Sequence, residues 1–279
     1  MGKKYEFVSE RKESVAALLS VAVPSLSRAK SDLLVKSGEV RVNGVRVRKN
    51  VTLEVGDSVT VFVPDSVITE KKIDIIYEDD NIVVFDKPKH TPFDAIPSIV
   101  GKELIPVHRL DTNTTGVIVF AKTDVAADAL TAAFKERKTK KLYEAVVCPA
   151  PKSDSAVLTS YMTVKNKTAV ISETSTAESK TVVTEYSVKE RHNGAAVLSV
   201  IPHTGRMHQI RAHLSFIGCP VVGDDKYGGK KARGADSQLL RADSVEFNGL
   251  TGELAYLNGK TFSAEPHYGG SFIRTLTVI

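Results

Sequence analysis

Cysteine is scarce in this chain of 279 residues. Cys148 and Cys219 stand alone, too few for a disulfide scaffold or a cysteine-rich zinc site. Two reduced thiols in a reducing compartment are the simpler expectation. No stretch approaches the roughly 18 uninterrupted apolar residues of a membrane helix. The opening MGKKYEFVSERKESV also lacks the apolar segment of a secretory signal. A cytoplasmic protein with no membrane partner is therefore expected. Several catalytic signatures are missing as well. Neither cysteine completes a C-x-x-C/H-x₃₋₅-H pattern with the histidines. His203, His208 and His213 recur every five residues, a period that does not keep ligands on one helical face. Neither metal nor cofactor is expected. GDDKYGGK fails the phosphate-loop pattern G-x-x-x-x-G-K-[ST] and reads as a turn lining a site or as wet surface, and no G-x-S-x-G elbow supports an esterase.

What is present is ordinary globular material: 42% hydrophobic and 25% charged residues, enough for a large core and more than one domain. The formal net charge of +5 favours polyanionic partners.

Residues 14–36 predict two short helices broken at Pro24. Val15, Leu18 and Leu19 share one face, Ala29, Leu33 and Leu34 another, and Ser25 or Ser27 is a candidate cap. Val40, Val42, Val45 and Val47 then alternate around an Asn-Gly turn, and Gly56-Asp57 leads into another alternating strand. Residues 1–60 carry 11 Lys or Arg against 7 Asp or Glu. Arg41, Arg46, Arg48 and Lys49 lie close enough together for a phosphate-binding surface, although a solvated face explains them equally well. The expected division is a small module over 1–63, a linker over 64–72 and a larger domain over 73–279. The last holds repeated strand signals (DIIY, NIVVFDK, GVIVFAK, KLYEAVV, TVVTEYSV, AAVLSVI) around a predicted helix DVAADALTAAFKERK, with Leu130 and Phe134 on one side. A second helix is expected around MHQIRAHLSFIG. The pattern is α+β with a mixed or antiparallel sheet, the strands being too irregularly interrupted for a doubly wound parallel one.

HRLDTNTTG, residues 108–116, places acid and base in a short polar segment before an apolar strand. Taken alone it reads as a solvated loop pair or as a reactive carboxylate in a cleft. Its possible companions, Lys141 and Tyr143 in KKLYEAVV and Arg206, His208 and Arg211 in TGRMHQIRAH, are remote in sequence.

HRLDTNTTGVIVFAKT, KLYEAVV and GRMHQIRAHLSFIGCPVVGDDKYG, with NIVVFDKPKH ahead of them, resemble in order the segments of the RluA-type RNA pseudouridine synthases. SRAKSDLLVKSGEVRVNG with LEVGDSVTV resembles an S4-type RNA-binding domain. The resemblance implies a catalytic Asp111, an active-site Tyr143 and an Arg211 paired with that aspartate. It also implies an Arg109 that probes RNA and helps hold the target nucleotide outside the helix. His108, Arg206, His208 and Gln209 would shape the pocket or meet the backbone, and Arg28, Lys30 and Arg41 would face RNA from the first module. In KERKTKK, residues 135–141, Lys138 is a candidate phosphate contact. Ile210 and Leu214 read as core, and His213 as a satisfied structural histidine.

The implied activity is isomerisation of uridine to pseudouridine in structured RNA, ribosomal RNA first and transfer RNA second, by a monomer. Competing readings are a noncatalytic RNA-binding or ribosome-assembly protein on the same scaffold and a glycoside-processing enzyme. The lack of a convincing second acid disfavours the latter. The sequence departs from the family pattern at Thr115 (usually serine), Cys148 (often glycine) and Arg241 (commonly histidine).

Overall fold

The computed structural model describes residues 2–23, 26, 28–64, 73–265 and 268–279. The chain divides into two compact units, residues 1–72 with the short piece 98–101, and the remainder. Most of the expected linker, residues 65–72, lies outside the described residues, as do Pro24, Ser25 and Ser27.

In the first unit the strands are β1 (Gly2–Val8), β2 (Glu13–Ser14), β3 (Val40–Val42), β4 (Val45–Val47), β5 (Thr52–Leu53) and β6 (Ser58–Pro64). The helices are α1 (Val15–Ala22) and α2 (Arg28–Ser37). The main sheet runs β1-β6-β3-β4. Asn43 and Gly44 both have positive φ, 50° and 77°, as the tight turn between β3 and β4 demands. Val15, Leu19, Leu34, Val40, Leu53, Val59 and Val61 form the core. Leu33 does not join it: it is exposed, because a step of one residue on a helix turns the side chain about 100° from Leu34. β1 was not legible, since GKKYEFV carries three charges in seven residues.

The second unit is built on one sheet of eleven strands. They are β7 (Asp74–Glu78), β8 (Ile82–Lys87), β9 (Ile105–Pro106), β10 (Thr115–Ala121), β11 (Thr139–Val147) and β12 (Ser155–Lys165). After these come β13 (Thr168–Ser172), β14 (Lys180–His192), β15 (Ala195–Pro202), β16 (Leu240–Phe247) and β17 (Thr261–Ser263). The order is β13-β12-β14-β15-β11-β16-β10-β8-β7, with β9 on β10 and β17 on β16. β10 and β16 run parallel; the other neighbours are antiparallel.

Helix α3 (Asp124–Lys135) opens on Thr123, whose side chain accepts from the Ala126 N–H, and buries Ala126, Ala127, Leu130 and Ala133. Its apolar stripe matters more than its cap. Leu130 alone, fully buried, is worth roughly 2 kcal/mol, against about 1 for the capping bond. Helix α4 (Gln209–Phe216) packs Ile210 and Leu214 with Ala145, Val147, Leu198 and Val200 of β11 and β15. Among the described residues no helix is long and apolar enough to cross a membrane.

Two features of this sheet place the site. Gly116 has φ 101°, and a Cβ there would lie 2.0 Å from the Ala242 carbonyl oxygen, so only glycine lets β10 meet β16 directly behind the 108–115 segment. In the β11–β16 ladder the register shifts between Leu142 and Tyr143. Such an irregularity re-aims the side chains beside it.

Candidate active site

A cleft of about 470 Å³ opens on the second unit, and Asp111, Tyr143 and Arg211 all line it, with His108, Arg109, Arg206, His208 and Gln209. Segments a hundred residues apart are brought together by the order of β10, β16, β11 and β15 in the sheet, with α4 closing one side.

Arg211, on α4 and nearly buried, is the hub. Its Nε and one terminal nitrogen grip Asp224 at 2.6 and 2.8 Å, and its other terminal nitrogen donates to Asp111 Oδ2 at 2.8 Å. The Asp224 pair is bidentate, the strong form of this contact. Burial opposes the charge on Arg211, but the bonds and charge of Asp224, then of Asp111, outweigh it and the net shift is upward. The guanidinium also lies 5.0 Å from the centre of the Tyr227 ring.

His208, bonded to Tyr227, approaches Asp111 from its other side. Tyr227 Oη accepts the Ala169 N–H at 2.9 Å and lies 2.9 Å from His208 Nδ1. His208 Nε2 stands 3.8 Å from Asp111 Oδ1. Burial lowers the His208 pKa, Asp111 raises it and Arg211 lowers it, with a net downward shift. His208 sits in the left-handed region, φ 54°, as the cap of α4.

The backbone carrying Asp111 is held from within. Thr114 N donates to Asp111 O at 3.0 Å. The fully buried Lys87 donates to the carbonyls of Thr112 (2.9 Å), Thr91 (2.9 Å) and Pro88 (3.1 Å). Tyr143 projects from β11; burial first, and Asp111 second, push its phenol well above the ordinary tyrosine pKa. His108 spends Nε2 accepting the Val119 N–H at 2.9 Å and stacks on Phe134 with centroids 4.3 Å apart. Burial, then the charge of Lys141, lowers its pKa to about 3, so it is a neutral wall of the cleft. Arg109 is exposed, with its guanidinium 5.7 Å from the centre of the Phe93 ring.

Gln209 uses its amide internally. Oε1 accepts from Thr204 Oγ1 (2.7 Å) and Arg206 N (3.1 Å), and Nε2 donates to Val183 O (2.9 Å) and Thr184 Oγ1 (3.0 Å). Its work is to shape the 204–208 loop. His213 is fully buried between Thr184 and Ser160. Arg28, Lys30 and Arg41 belong to the first unit. Arg28 donates to Ser14 Oγ at 2.9 Å, Lys30 lies on α2, and Arg41 is exposed directly opposite Arg46. Lys138 pairs with Glu136 at 2.8 Å and is not among the residues lining the cleft.

Sequence reading missed Asp224, Tyr227 and Lys87. GDDKYGGK is a turn beside the site: Asp225, Lys226, Gly228 and Lys230 are exposed, while Asp224 and Tyr227 turn inward to Arg211 and His208. Asp224 is 1% exposed, and a Cβ on Gly229 would stand 1.9 Å from the Val221 oxygen, so the run is packed tightly. The signal was its glycine content, which marks close backbone approach. Asp224 is also a second acid near Asp111, but both its oxygens are committed to Arg211. It supplies no free partner for a paired-carboxylate mechanism.

Residues 81–216 match the family model described as RNA pseudouridylate synthase. A Bacillus subtilis (strain 168) protein described as an uncharacterized RNA pseudouridine synthase is 30% identical over 264 residues, 86% of this chain and 87% of its own length. An Aquifex aeolicus (strain VF5) protein of the same description is 34% identical over 256 residues, 81% and 80% of the two chains. Among solved structures, Human RNA Pseudouridylate Synthase Domain Containing 1 shares the fold with a TM-score of 0.58 at 22% identity, over 67% of this chain and 85% of that one. The chain belongs to the RNA pseudouridine synthases, and its activity is the isomerisation of uridine in RNA.

Proposed function

We propose that this enzyme converts specific uridines of ribosomal RNA to pseudouridine, acting as a cytoplasmic monomer, with Asp111 as the catalytic carboxylate. The observation that carries the catalytic assignment is the placement of Asp111, held by Arg211, in the same cleft as Tyr143. The ribosomal target is supported by a Vibrio parahaemolyticus relative named ribosomal large subunit pseudouridine synthase C, 30% identical over 77% of this chain and 78% of its own. Residues 1–63 act, in this reading, as an S4-type RNA-binding domain, joined through 64–72 to the catalytic domain over 73–279. The facing exposed cations Arg41 and Arg46 support it, because like charges directly opposite destabilise a hairpin and a bound phosphate relieves them. Arg28 and Lys30 would extend the same surface.

The reaction breaks the uridine N1–C1′ bond, turns the detached uracil and joins C5 to C1′, with one proton lost from C5 and one gained at N1. No atom is added, so no co-substrate is needed. The uridine must leave its helix, at a cost of a few kcal/mol. Arg109, exposed at the cleft beside Phe93, holds the vacated position with a planar cation suited to stacking. Arg211 fixes Asp111 through Oδ2, which leaves Oδ1 to attack C1′ or to take the proton from C2′. Tyr143 stacks on the uracil. Once the C–C bond has formed, its oxygen takes the C5 proton as its own passes to Asp111, so the phenol is never required to ionise; N1 takes up a proton, and Asp111 releases its own to solvent and returns to the carboxylate.

The test is a pseudouridine map of total RNA from cells with and without the protein. Loss of a modification from large-subunit ribosomal RNA, restored by wild type and not by Asp111→Asn, is the expected result. An unchanged ribosomal map with a change in transfer RNA would move the target, and restoration by Asp111→Asn would overturn the catalytic assignment.

A further inference from the structure

The basic run KERKTKK places its cations in unequal circumstances. Lys138 is paired with Glu136, and its methylenes lie beside Gly249. Lys141, three residues on, lines the cleft and makes no hydrogen bond or ion pair with any described residue. It lies two positions before Tyr143 on β11, and residues at that spacing project from one face of a strand. Gly205 faces its ammonium: a Cβ built there would stand 3.6 Å from Nζ, so the loop opposite leaves room rather than supplying a partner. Burial first, and the charge of Arg137 second, lower the Lys141 pKa. That is the behaviour of a cation desolvated beside another cation. The cleft's carboxylate, Asp111, is already engaged by Arg211. The near neighbour that feels Lys141 is the neutral His108, which offsets nothing.

An uncompensated, half-buried cation costs stability, and a negative charge that arrives with the substrate removes that cost. Resting on the reading of the cleft as the seat of the extruded uridine, we propose that Lys141 binds one of the two phosphates attached to the target ribose. The link is covalent. A sugar that presents C1′ to Asp111 while its base lies on Tyr143 carries phosphates on O3′ and O5′ along the same wall, and the ammonium meets one of them as a point charge. The other anion the reaction produces is the detached uracil. Its charge exists only between bond breaking and bond making, so a lysine serving it would act on the rate and leave affinity alone.

The experiment uses RNA stem-loops of a mapped target, each carrying one neutral methylphosphonate, with the full-length wild type, Lys141→Met and Lys138→Met. Affinity and single-turnover pseudouridine formation are measured for each pair. For unmodified RNA, Lys141→Met is expected to weaken binding about tenfold, as for one charge-assisted contact. It should also lower the salt slope by about one, with the loss falling on affinity more than on rate. At one of the two phosphates flanking the uridine, the methylphosphonate weakens wild type by a similar factor and Lys141→Met no further. Lys138→Met keeps the wild-type pattern. Thermal unfolding of Lys141→Met no earlier than wild type excludes a folding defect, and Lys141→Arg restores the phosphate effect. Equal sensitivity of wild type and Lys141→Met at every position, or a loss confined to the rate, overturns the proposal. Failure of wild type to convert the unmodified RNA would instead overturn the reading of the cleft.

Discussion

Asp111 gives one oxygen to Arg211 and keeps the other toward the cleft, and Asp224 is what keeps Arg211 from moving. The pair of bonds at 2.6 and 2.8 Å leaves the guanidinium one orientation. Asp224→Asn should therefore lower turnover tenfold or more while RNA affinity stays near that of wild type, because Asp111 loses alignment rather than charge. Steady-state and binding measurements on the same preparation check this. On the roles proposed for Tyr143, Tyr143→Phe keeps a ring for stacking and removes the hydroxyl; turnover should fall about 10²-fold or more with affinity retained. At this scale the sequence displayed the residues that stand in recognisable strings, HRLD, KLYEA and HQIR. It hid those whose role comes from burial. Lys87, at the end of an apolar strand, is fully buried and donates to the carbonyls of the adjacent Pro88 and Thr91 and of Thr112 in the Asp111 segment. A lysine with such partners looks like any other until the remote Thr112 stretch is placed beside it.

At the scale of elements, the contact of β10 with β16 decides whether the cleft exists. Gly116→Ala sets a Cβ within 2.0 Å of backbone at a positive φ, and the loss should exceed about 4 kcal/mol, visible in urea unfolding or as failure to accumulate soluble protein. Next to it Arg241, fully buried, reaches across to Asp86 at 3.0 Å, while its Nε and second terminal nitrogen find no hydrogen-bond partner among the described residues. The departure from the family's histidine is thus accommodated by an ion pair with incomplete satisfaction. Asp86→Ala strands the cation and should cost about 3–5 kcal/mol, whereas Arg241→Met removes the buried charge and should be close to neutral; equal losses would contradict this account of the pair. The strong strand signals around β8, β10, β11, β14 and β15 were legible from apolar runs. β12 and β13 were not, because SAVLTSYMTVK and TAVIS mix hydroxyls with short apolar residues. Their strand character comes from pairing with each other and with β14.

For the molecule as a whole, buried neutral histidines set a limit on the acid side. Burial lowers His213 to about 4 and His108 to about 3. Below the ordinary histidine pKa of about 6.5, the unfolded chain gains protons that the folded protein refuses, so stability is lost as pH falls through that window. For fully buried His213 the loss from about pH 7.5 to pH 5 is on the order of 2 kcal/mol. The stability gap between wild type and His213→Asn in urea should narrow by that amount over the same range. A constant gap would mean that His213 takes up its proton in the folded state.

The central claim, that the Asp111 carboxylate isomerises uridine in this cleft, is tested most directly by release of tritium from RNA labelled at uridine C5. Wild type should release label in proportion to pseudouridine formed. Asp111→Asn, folded and binding the same RNA with comparable affinity, should release none above background over repeated turnovers. Sustained release by Asp111→Asn would contradict the account.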